Sequence, residues 1–184
     1  RGVEDAVAFL ERAKREGARV PERVAVLGGG HTTMDDATTA LASGARDVYI
    51  VYRRSFAEMP AWPADRDEAL EMGVHFLTLT QPIDYVLENG AMVGLRVART
   101  VMGDPDDSGR RSPVPVPDSE SVLNVDLVLE ALGQSVPEGV RTLLPGVEIT
   151  ARGLVGVGVD GNTSREGVFA GGDIVRGGAT VILA

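Results

Sequence analysis

Residues 24–33 read VAVLGGGHTT, and this stretch decides the fold. Four apolar residues run into three glycines, and from Thr32 onward the apolar residues recur at the spacing of a helix. This change of period predicts a strand at Arg23–Leu27, a tight turn at residues 28–30 and a helix that ends at Gly44. A strand, a glycine turn and a helix in this order form the start of a parallel α/β unit.

The chain on either side repeats this alternation. Residues 3–15 place apolar side chains on one helical face, and residues 48–52 are a continuous apolar run typical of a strand that is covered on both faces. A further helix, with Pro63 at its first position and Gly73 at its end, leads to a strand at residues 74–79. The short connections predict a doubly wound, Rossmann-like parallel sheet.

The pattern changes after Pro82. Asn89-Gly90 separates two runs, residues 83–87 and 92–100, as in a hairpin, and residues 122–125 add the third strand of an antiparallel β-meander. Residues 103–121 hold four prolines and predict a long exposed loop. Residues 126–132 read as a strand again, whereas residues 135–184 contain only short strands and no complete α/β unit.

Composition excludes several classes of protein. The 184 residues carry a formal net charge of −9, which argues against a surface for nucleic acid, and no apolar run reaches the roughly 20 residues that span a bilayer. The charged, amphipathic N-terminus is not a secretion signal, so we expect a cytoplasmic location. Without cysteine, and with only His31 and His75, the chain offers no iron–sulfur ligands and no zinc site. Any redox chemistry here depends on a bound organic cofactor.

The glycine turn has the features of a dinucleotide site. Gly28 and Gly30 have the G-x-G spacing between a strand and a helix, where backbone N–H groups and the helix dipole can hold a pyrophosphate. The third small position of this fingerprint is Thr33, a β-branched residue that we expect to loosen the packing of helix on strand. The alternative is a purely structural turn.

The end of the next strand indicates which dinucleotide. An NAD site places an acid there, but this chain has Arg53 and Arg54, and Asp47 lies at the strand's other end. Two guanidinium groups suit a 2′-phosphate, which favours NADPH, although two solvated arginines are the alternative.

Five side chains near the turn are given structural roles, and none is given a catalytic one. His31 reads as a helper at the helix N-terminus and not as an acid–base group, because hydride transfer needs geometry and not a protonating side chain. Asp35 and Asp36 are expected to complement the helix dipole. Met59 and Trp62 are expected to be packing residues.

A second signature lies near the end of the chain. Residues 163–179 predict a turn, a strand at residues 168–170, two glycines and Asp173 at the opening of a helix. Asp173 either hydrogen-bonds a sugar or ribityl hydroxyl or is a helix N-cap, and the residues alone do not choose between these roles.

Six motifs carry a family resemblance: GGGHTTMD at 28–35, VYRR at 51–54, MPA at 59–61, DPDDSGRRSPVPVP at 104–117, ALGQ at 131–134 and TSREGVFAGGDIVRG at 163–177. They resemble the small (β) subunit of glutamate synthase and its relatives, flavin- and NADPH-dependent electron-input modules also found in dihydropyrimidine dehydrogenase. The resemblance implies that residues 1–133 are an NADPH-binding domain and residues 134–184 the incomplete C-terminal part of an FAD-binding domain.

The resemblance also implies roles for individual residues. It places the pyrophosphate at Gly28 and Gly30, with His31, Thr32 and Thr33 beside it, and the 2′-phosphate at Arg53 and Arg54. It places Gly133 near the nicotinamide, and FAD at Gly172 and Asp173. His31 and Thr33 depart from the family, in which Asn or Asp and Ala are common at these positions. In the family, the flavin domain begins with its own strand–glycine–helix unit, and this unit and the cysteine clusters for iron–sulfur centres would precede Arg1. We therefore expect a fragment that binds NADPH weakly and holds no FAD when purified.

The implied function is hydride transfer from NADPH to FAD, with electrons leaving through iron–sulfur centres of a large catalytic subunit or fused domain. A dihydropyrimidine dehydrogenase-like or other ferredoxin-linked oxidoreductase is one alternative, and a non-catalytic nucleotide-binding or assembly module is another. A thioredoxin reductase-like enzyme is disfavoured because the nucleotide domain has no cysteine pair.

Overall fold

The computed structural model describes residues 2–17, 19–105, 111–133 and 142–177. The chain divides into two compact units, Arg1–Leu132 and Gly133–Ala184. This boundary lies one residue before the predicted one. The nucleotide- and flavin-binding roles of the two units stay predictions.

The first unit is built on a five-stranded parallel sheet. In chain order its elements are β1 (Val3–Asp5), α1 (Ala6–Glu16), β2 (Arg23–Leu27), α2 (His31–Ala42), β3 (Asp47–Tyr52), a 3₁₀ turn (Phe56–Glu58), α3 (Pro63–Glu71) and β4 (His75–Thr78). Four further strands follow: β5 (Thr80–Glu88), β6 (Ala91–Pro105), β7 (Arg111–Pro115) and β8 (Ser121–Leu123). The last strand, β9 (Leu127–Glu130), returns to the parallel sheet, whose order is β1-β9-β2-β3-β4.

The first element corrects the prediction of a helix over residues 3–15. Val3–Asp5 is a strand paired in parallel with β9, and the helix begins only at Ala6. Asp5 is its N-cap, and the Asp5 carboxylate accepts a hydrogen bond from the N–H of Ala8 at 3.0 Å. The strand is favoured by a partner more than 120 residues later in the chain (Val3 pairs with Val128), which local periodicity does not reveal.

The antiparallel meander is confirmed, but the predicted loop at residues 103–121 is partly wrong. β5 pairs with β6, and β6 pairs with both β7 and β8. β6 runs for 15 residues to Pro105, and its extended end pairs with β7, where Val101 lies opposite Val114. The prolines of β7 are tolerated because an edge strand needs only part of its N–H groups.

Two hydrophobic cores lie on opposite faces of the parallel sheet. One joins the helices to the sheet and includes Phe9, Met34 and Ala69. The other joins the meander to the sheet and includes Leu95 and Val128. The predicted fold class, a Rossmann-like parallel sheet with an antiparallel meander, is confirmed, with the helices on one face and the meander on the other. The carboxyl ends of the strands meet at one edge, where the glycine turn lies.

The second unit contains little regular structure in its described residues. Three isolated bridges join Ile149 to Val155, Val157 to Thr163 and Asn162 to Phe169, and a short helix, α4, spans Asp173–Arg176. The strand predicted at residues 168–170 is therefore wrong beyond the single bridge at Phe169. Within the described chain, no helix has the length and apolar character required to cross a membrane.

Candidate functional site

The glycine turn lies between β2 and α2, at the carboxyl edge of the parallel sheet. Gly28 has a φ of 140°, and a Cβ there would lie 2.5 Å from the carbonyl oxygen of Ala131. A Cβ on Gly29 would lie 2.7 Å from the ring of Tyr52, whereas Gly30 faces open space. Gly30 is the N-cap of α2, and no side chain caps this helix. The turn therefore presents uncapped N–H groups and an accessible backbone, which are the requirements of an anion site.

The structure shows how the turn accommodates Thr33. The side chain is fully buried, and its Oγ1 atom lies 2.6 Å from the position that a Cβ on Gly28 would take. The hydroxyl has no hydrogen-bond partner. Thr33 thus fills the space left by the missing side chain of Gly28. Its neighbour Thr32, the second residue of α2, is half-buried.

Arg53 and Arg54 follow β3, the strand next to the turn. Their backbone is fixed, because the Arg53 carbonyl accepts a hydrogen bond from Thr100 Oγ1 at 2.7 Å and the Arg54 carbonyl accepts one from the N–H of Leu79 at 2.9 Å. Neither guanidinium group is hydrogen-bonded or ion-paired to a described residue. Arg53 is exposed and Arg54 is half-buried. The backbone therefore holds both arginines at the carboxyl edge of the sheet.

The carboxylate of Glu58, on the 3₁₀ turn, lies close enough to Arg54 for the positive charge of the arginine to act on it. A hydrogen bond from Ser55 holds the pKa of Glu58 below its ordinary value, and the charges of Arg111 and Arg54 act in the same direction. The distance from Arg54 to Glu58 does not amount to an ion pair. The charge of Arg54 therefore acts on Glu58, but the two side chains do not form an ion pair.

His31 has partners that the sequence does not suggest. It is the first residue of α2, and its Nδ1 atom lies 2.7 Å from Oδ2 of Asp65 on α3. The ring of Trp62 packs edge-on against the imidazole, with 4.8 Å between the ring centroids. The loop before α3 is tied to the turn, because the N–H of Ala61 donates to the carbonyl of Gly29 at 3.0 Å. His31 therefore contacts both Asp65 and Trp62 directly after the glycine turn.

The two predicted packing residues have different positions. Met59 is buried in the core beneath the helices, as predicted. The prediction for Trp62 is wrong, since 57% of this residue is exposed. Trp62 is the N-cap residue of α3, and its ring lies on the surface beside His31, although the preceding residue, Ala61, is buried in the core.

The prediction that Asp35 and Asp36 complement the helix dipole is wrong, because both lie beyond the first turn of α2. The first turn of α2 contains no acid, and Asp36 is fully buried with neither carboxylate oxygen hydrogen-bonded. Burial raises the pKa of Asp36 to about 8, and the charges of Asp35, Asp5 and Glu4 add to the rise. The burial of Asp36 could have been predicted from its spacing, because it follows Thr33 by three residues and precedes Ala40 by four, and so lies on the same buried face of α2.

A second unpredicted pair lies at the end of β9. The hydroxyl of Tyr85 on β5 donates a short hydrogen bond to the carboxylate of Glu130. Burial raises the pKa of Tyr85 to about 12, and the bond and charge of Glu130 contribute to the same shift. Glu130 lies opposite Leu27 in the sheet, directly before the turn. The pair therefore joins the meander to the strand end next to the glycine turn.

The residues predicted to contact FAD lie in the second unit. Asp173 is the first residue of α4, and its N-cap is Gly172, so the alternative of Asp173 as an N-cap is wrong. Asp173 makes no capping hydrogen bond, which leaves flavin contact as a prediction. Gly133 begins this unit and faces open space, and Gln134 lies outside the described residues. No group of three or more metal-ligating side chains occurs within residues 2–17, 19–105, 111–133 and 142–177.

Comparison with known proteins agrees with this geometry. The family described as pyridine nucleotide-disulphide oxidoreductase matches residues 1–184. The chain is 47% identical over 163 residues to the NADP(+)-dependent formate dehydrogenase subunit beta of Moorella thermoacetica, covering 88% of this chain and 23% of that protein. It is 39% identical over 167 residues to the glutamate synthase [NADPH] small chain of Halomonas elongata, covering 89% of this chain and 35% of that one.

Solved structures show the same fold at lower identity. FprA from Mycobacterium tuberculosis in complex with NADPH superposes with a TM-score of 0.73 at 18% identity, over 98% of this chain and 54% of that chain. Thioredoxin reductase from T. acidophilum gives a TM-score of 0.65 at 21% identity, over 85% of this chain and 45% of that one. The chain thus spans about a quarter to a third of the curated relatives and about half of these structures. The chain belongs to the pyridine nucleotide-disulphide oxidoreductase family.

Proposed function

We propose that this chain is the NADPH-binding part of a flavin-dependent oxidoreductase that passes hydride from NADPH to FAD. The observation that carries the proposal is the placement of Arg53 and Arg54, unpaired with any described residue, on the strand next to an uncapped glycine turn. In a chain with a net charge of −9, two adjacent arginines that form no ion pair with a described residue at this one point are best explained by a 2′-phosphate.

The described residues fit the dinucleotide. A pyrophosphate requires backbone within hydrogen-bonding reach, and any side chain on Gly28 or Gly29 would collide with Ala131 or Tyr52. Gly30 faces open space, so the phosphates can approach the first N–H groups of α2 without a clash. β2 and β3 are adjacent and parallel, so the turn and the arginines lie at the same edge of the sheet. Pyrophosphate at the turn and 2′-phosphate at the arginines is the arrangement that we infer.

The chain's own contribution is binding and orientation. NADPH supplies the hydride and FAD accepts it, so the chemistry belongs to the cofactors. The turn is stiffened from two sides, because Ala61 donates to Gly29 and the Tyr52 hydroxyl donates to the carbonyl of Glu58 at 2.9 Å. A stiff turn fixes where the pyrophosphate binds, and this limits the positions that the nicotinamide can take.

For the whole protein we infer an electron-input role. The relatives' names support this, since one is the small chain of a glutamate synthase that uses NADPH and another is the beta subunit of an NADP(+)-dependent formate dehydrogenase. The proposed partner is a large catalytic subunit or fused domain with iron–sulfur centres, as in a glutamate synthase-like or another ferredoxin-linked enzyme. FAD contact at Gly172 and Asp173, and Gly133 near the nicotinamide, belong to the same proposal.

The test is a calorimetric titration with NADPH and with NADH. Replacing both arginines in Arg53→Ala/Arg54→Ala should weaken NADPH binding by about 10- to 100-fold and leave NADH binding unchanged, because only NADPH carries the 2′-phosphate. The matched control is Arg19→Ala/Arg46→Ala, which removes the same charge from two exposed arginines near the opposite sheet edge. Equal binding of both nucleotides, insensitive to Arg53→Ala/Arg54→Ala, would instead support the non-catalytic assembly module.

A further inference from the structure

His31 lies at the N-terminus of α2 in contact with Asp65 and Trp62, and the proposed function assigns no role to these two neighbours. His31 directly follows Gly30, so its imidazole belongs to the residue that begins α2. Asp65 lies 2.7 Å from Nδ1, and Trp62 limits rotation of the ring by packing edge-on at 4.8 Å between ring centroids. The side chain of His31 is 49% exposed, so the ring can reach a ligand at the turn.

The contact with Asp65 decides which form of the imidazole can bind an anion. A carboxylate can only accept hydrogen bonds, so Nδ1 of His31 carries the hydrogen that Asp65 accepts. In the neutral ring the other nitrogen, Nε2, then has a lone pair and no hydrogen, and this lone pair repels a phosphate oxygen. Only the imidazolium form has hydrogens on both nitrogens. Binding of a phosphate by His31 therefore requires the ring to gain a proton.

The surrounding charges favour this protonation when the dinucleotide is bound. Asp65 is the charged side chain in contact with His31, and the guanidinium group of Arg66 is directed to the Phe56 carbonyl at 2.8 Å. The other charged side chains on the adjoining segments are Asp35 and Asp36 on α2, Arg53, Arg54 and Glu58 between β3 and α3, and Asp67, Glu68 and Glu71 on α3. A bound pyrophosphate adds negative charge on the side of the ring opposite Asp65, and an imidazolium between two anions is stabilised by both.

We propose that His31, oriented by Asp65, binds the pyrophosphate as an imidazolium, so that the chain takes up a proton when it binds a dinucleotide. This inference rests on the proposed function and adds a residue that makes affinity depend on pH. His31 is a binding residue and Asp65 is a positioning residue. The affinity for the dinucleotide then rises with the proton concentration, because the bound form holds more protons than the free form.

The experiment measures proton uptake by titrating the chain with NADH near pH 7 in two buffers of different ionisation enthalpy. NADH is the probe because the 2′-phosphate of NADPH titrates in the same range. We expect uptake of a fraction of a proton per NADH by the unmodified chain and none by His31→Asn. His31→Asn should also bind NADH about fivefold more weakly at pH 6.5 and about equally at pH 8.5.

Two variants complete the test. His75→Asn removes the other histidine of the chain, which stacks on Tyr49 near the start of β4, and should leave proton uptake unchanged. In Asp65→Asn the amide can donate to Nδ1, so the neutral ring can present Nε2–H, and proton uptake should fall while binding persists. Equal proton uptake by the unmodified chain and His31→Asn, with NADH bound by both, overturns this inference and leaves the proposed function standing. Binding of neither NADH nor NADPH by the unmodified chain overturns the proposed function, and this inference with it.

Discussion

Tyr52 closes the space beside Gly29: a Cβ on this glycine would lie 2.7 Å from two carbons of the phenol ring. The ring cannot move away freely, because its hydroxyl donates to the carbonyl of Glu58. The last residue of β3 thus determines that Gly29, in the glycine turn, has no side chain. This contact links the strand that precedes the two arginines to the turn that precedes α2.

Gly29→Ala should therefore destabilise the fold. Overpacking against the held ring of Tyr52 is expected to lower the free energy of unfolding by about 1–3 kcal/mol, measured by urea denaturation. Gly30→Ala is the matched control, because a Cβ at Gly30 has no neighbour within 4 Å, and it should change stability by less than about 1 kcal/mol. Equal losses in the two variants would contradict the role of Tyr52.

Asp36 should make stability depend on pH. The pKa of Asp36 is raised from 3.8 to about 8 in the fold, so the unfolded chain loses this proton near pH 4 and the folded chain keeps it until near pH 8. The stability that this carboxyl contributes is fully present below pH 4 and is lost as the pH rises toward 8. Relative to Asp36→Asn, the unmodified chain should lose roughly 3–4 kcal/mol of unfolding free energy between pH 5 and pH 8.

The control for this measurement is Asp35→Asn, which removes the same charge from the exposed neighbouring residue. The free energy of unfolding of Asp35→Asn should fall with pH as it does in the unmodified chain. Its values should be slightly higher, because Asp35 adds to the raised pKa of Asp36. If the stability of Asp36→Asn runs parallel to that of the unmodified chain over this pH range, the buried carboxyl does not titrate as proposed.

The pair of Tyr85 and Glu130 should be visible in an absorbance titration of tyrosinate. With its pKa raised to about 12, Tyr85 stays protonated below pH 11, so Tyr85→Phe should leave the absorbance change up to pH 11 unaltered. Glu130→Gln removes the charge that helps to raise this pKa, and tyrosinate should then form at lower pH. Tyr85→Phe is also expected to cost about 1 kcal/mol of stability through the lost hydrogen bond. A smaller tyrosinate signal below pH 11 in Tyr85→Phe would show that Tyr85 ionises normally.

The flavin content of the purified protein tests the prediction that the first unit binds NADPH and that the second is an incomplete FAD-binding domain. If residues 134–184 are only part of an FAD-binding domain, the purified chain of 184 residues should carry no stoichiometric flavin and should still bind NADPH. The measurement is the visible flavin spectrum of the purified protein, followed by NADPH calorimetry on the same sample. One flavin per chain would contradict the prediction that residues 134–184 are an incomplete FAD-binding domain.

Sequence signals that act over a few residues were enough to predict the central helices and strands of the first unit. An apolar run, three glycines, Pro63 and the Asn89-Gly90 turn act over a few residues, and they predicted β2, α2, α3 and the hairpin of β5 and β6 where the structure has them. The placement of Gly28, Gly30, Arg53 and Arg54 at the carboxyl edge of the sheet also follows from these elements, since the glycines lie within three residues of the end of β2 and the arginines within two of the end of β3. Their roles as cofactor contacts stay predictions.

Tertiary structure decided whatever depends on a distant partner. Val3–Asp5 is a strand because β9 offers it hydrogen bonds, and β7 exists because β6 extends far enough to pair with it. His31 gains its aspartate from a helix 34 residues away, and Asp36 is buried because α2 packs with that face inward. Periodicity and turn signals describe the chain over a few residues, whereas burial and pairing depend on segments that meet only when the sheet has formed.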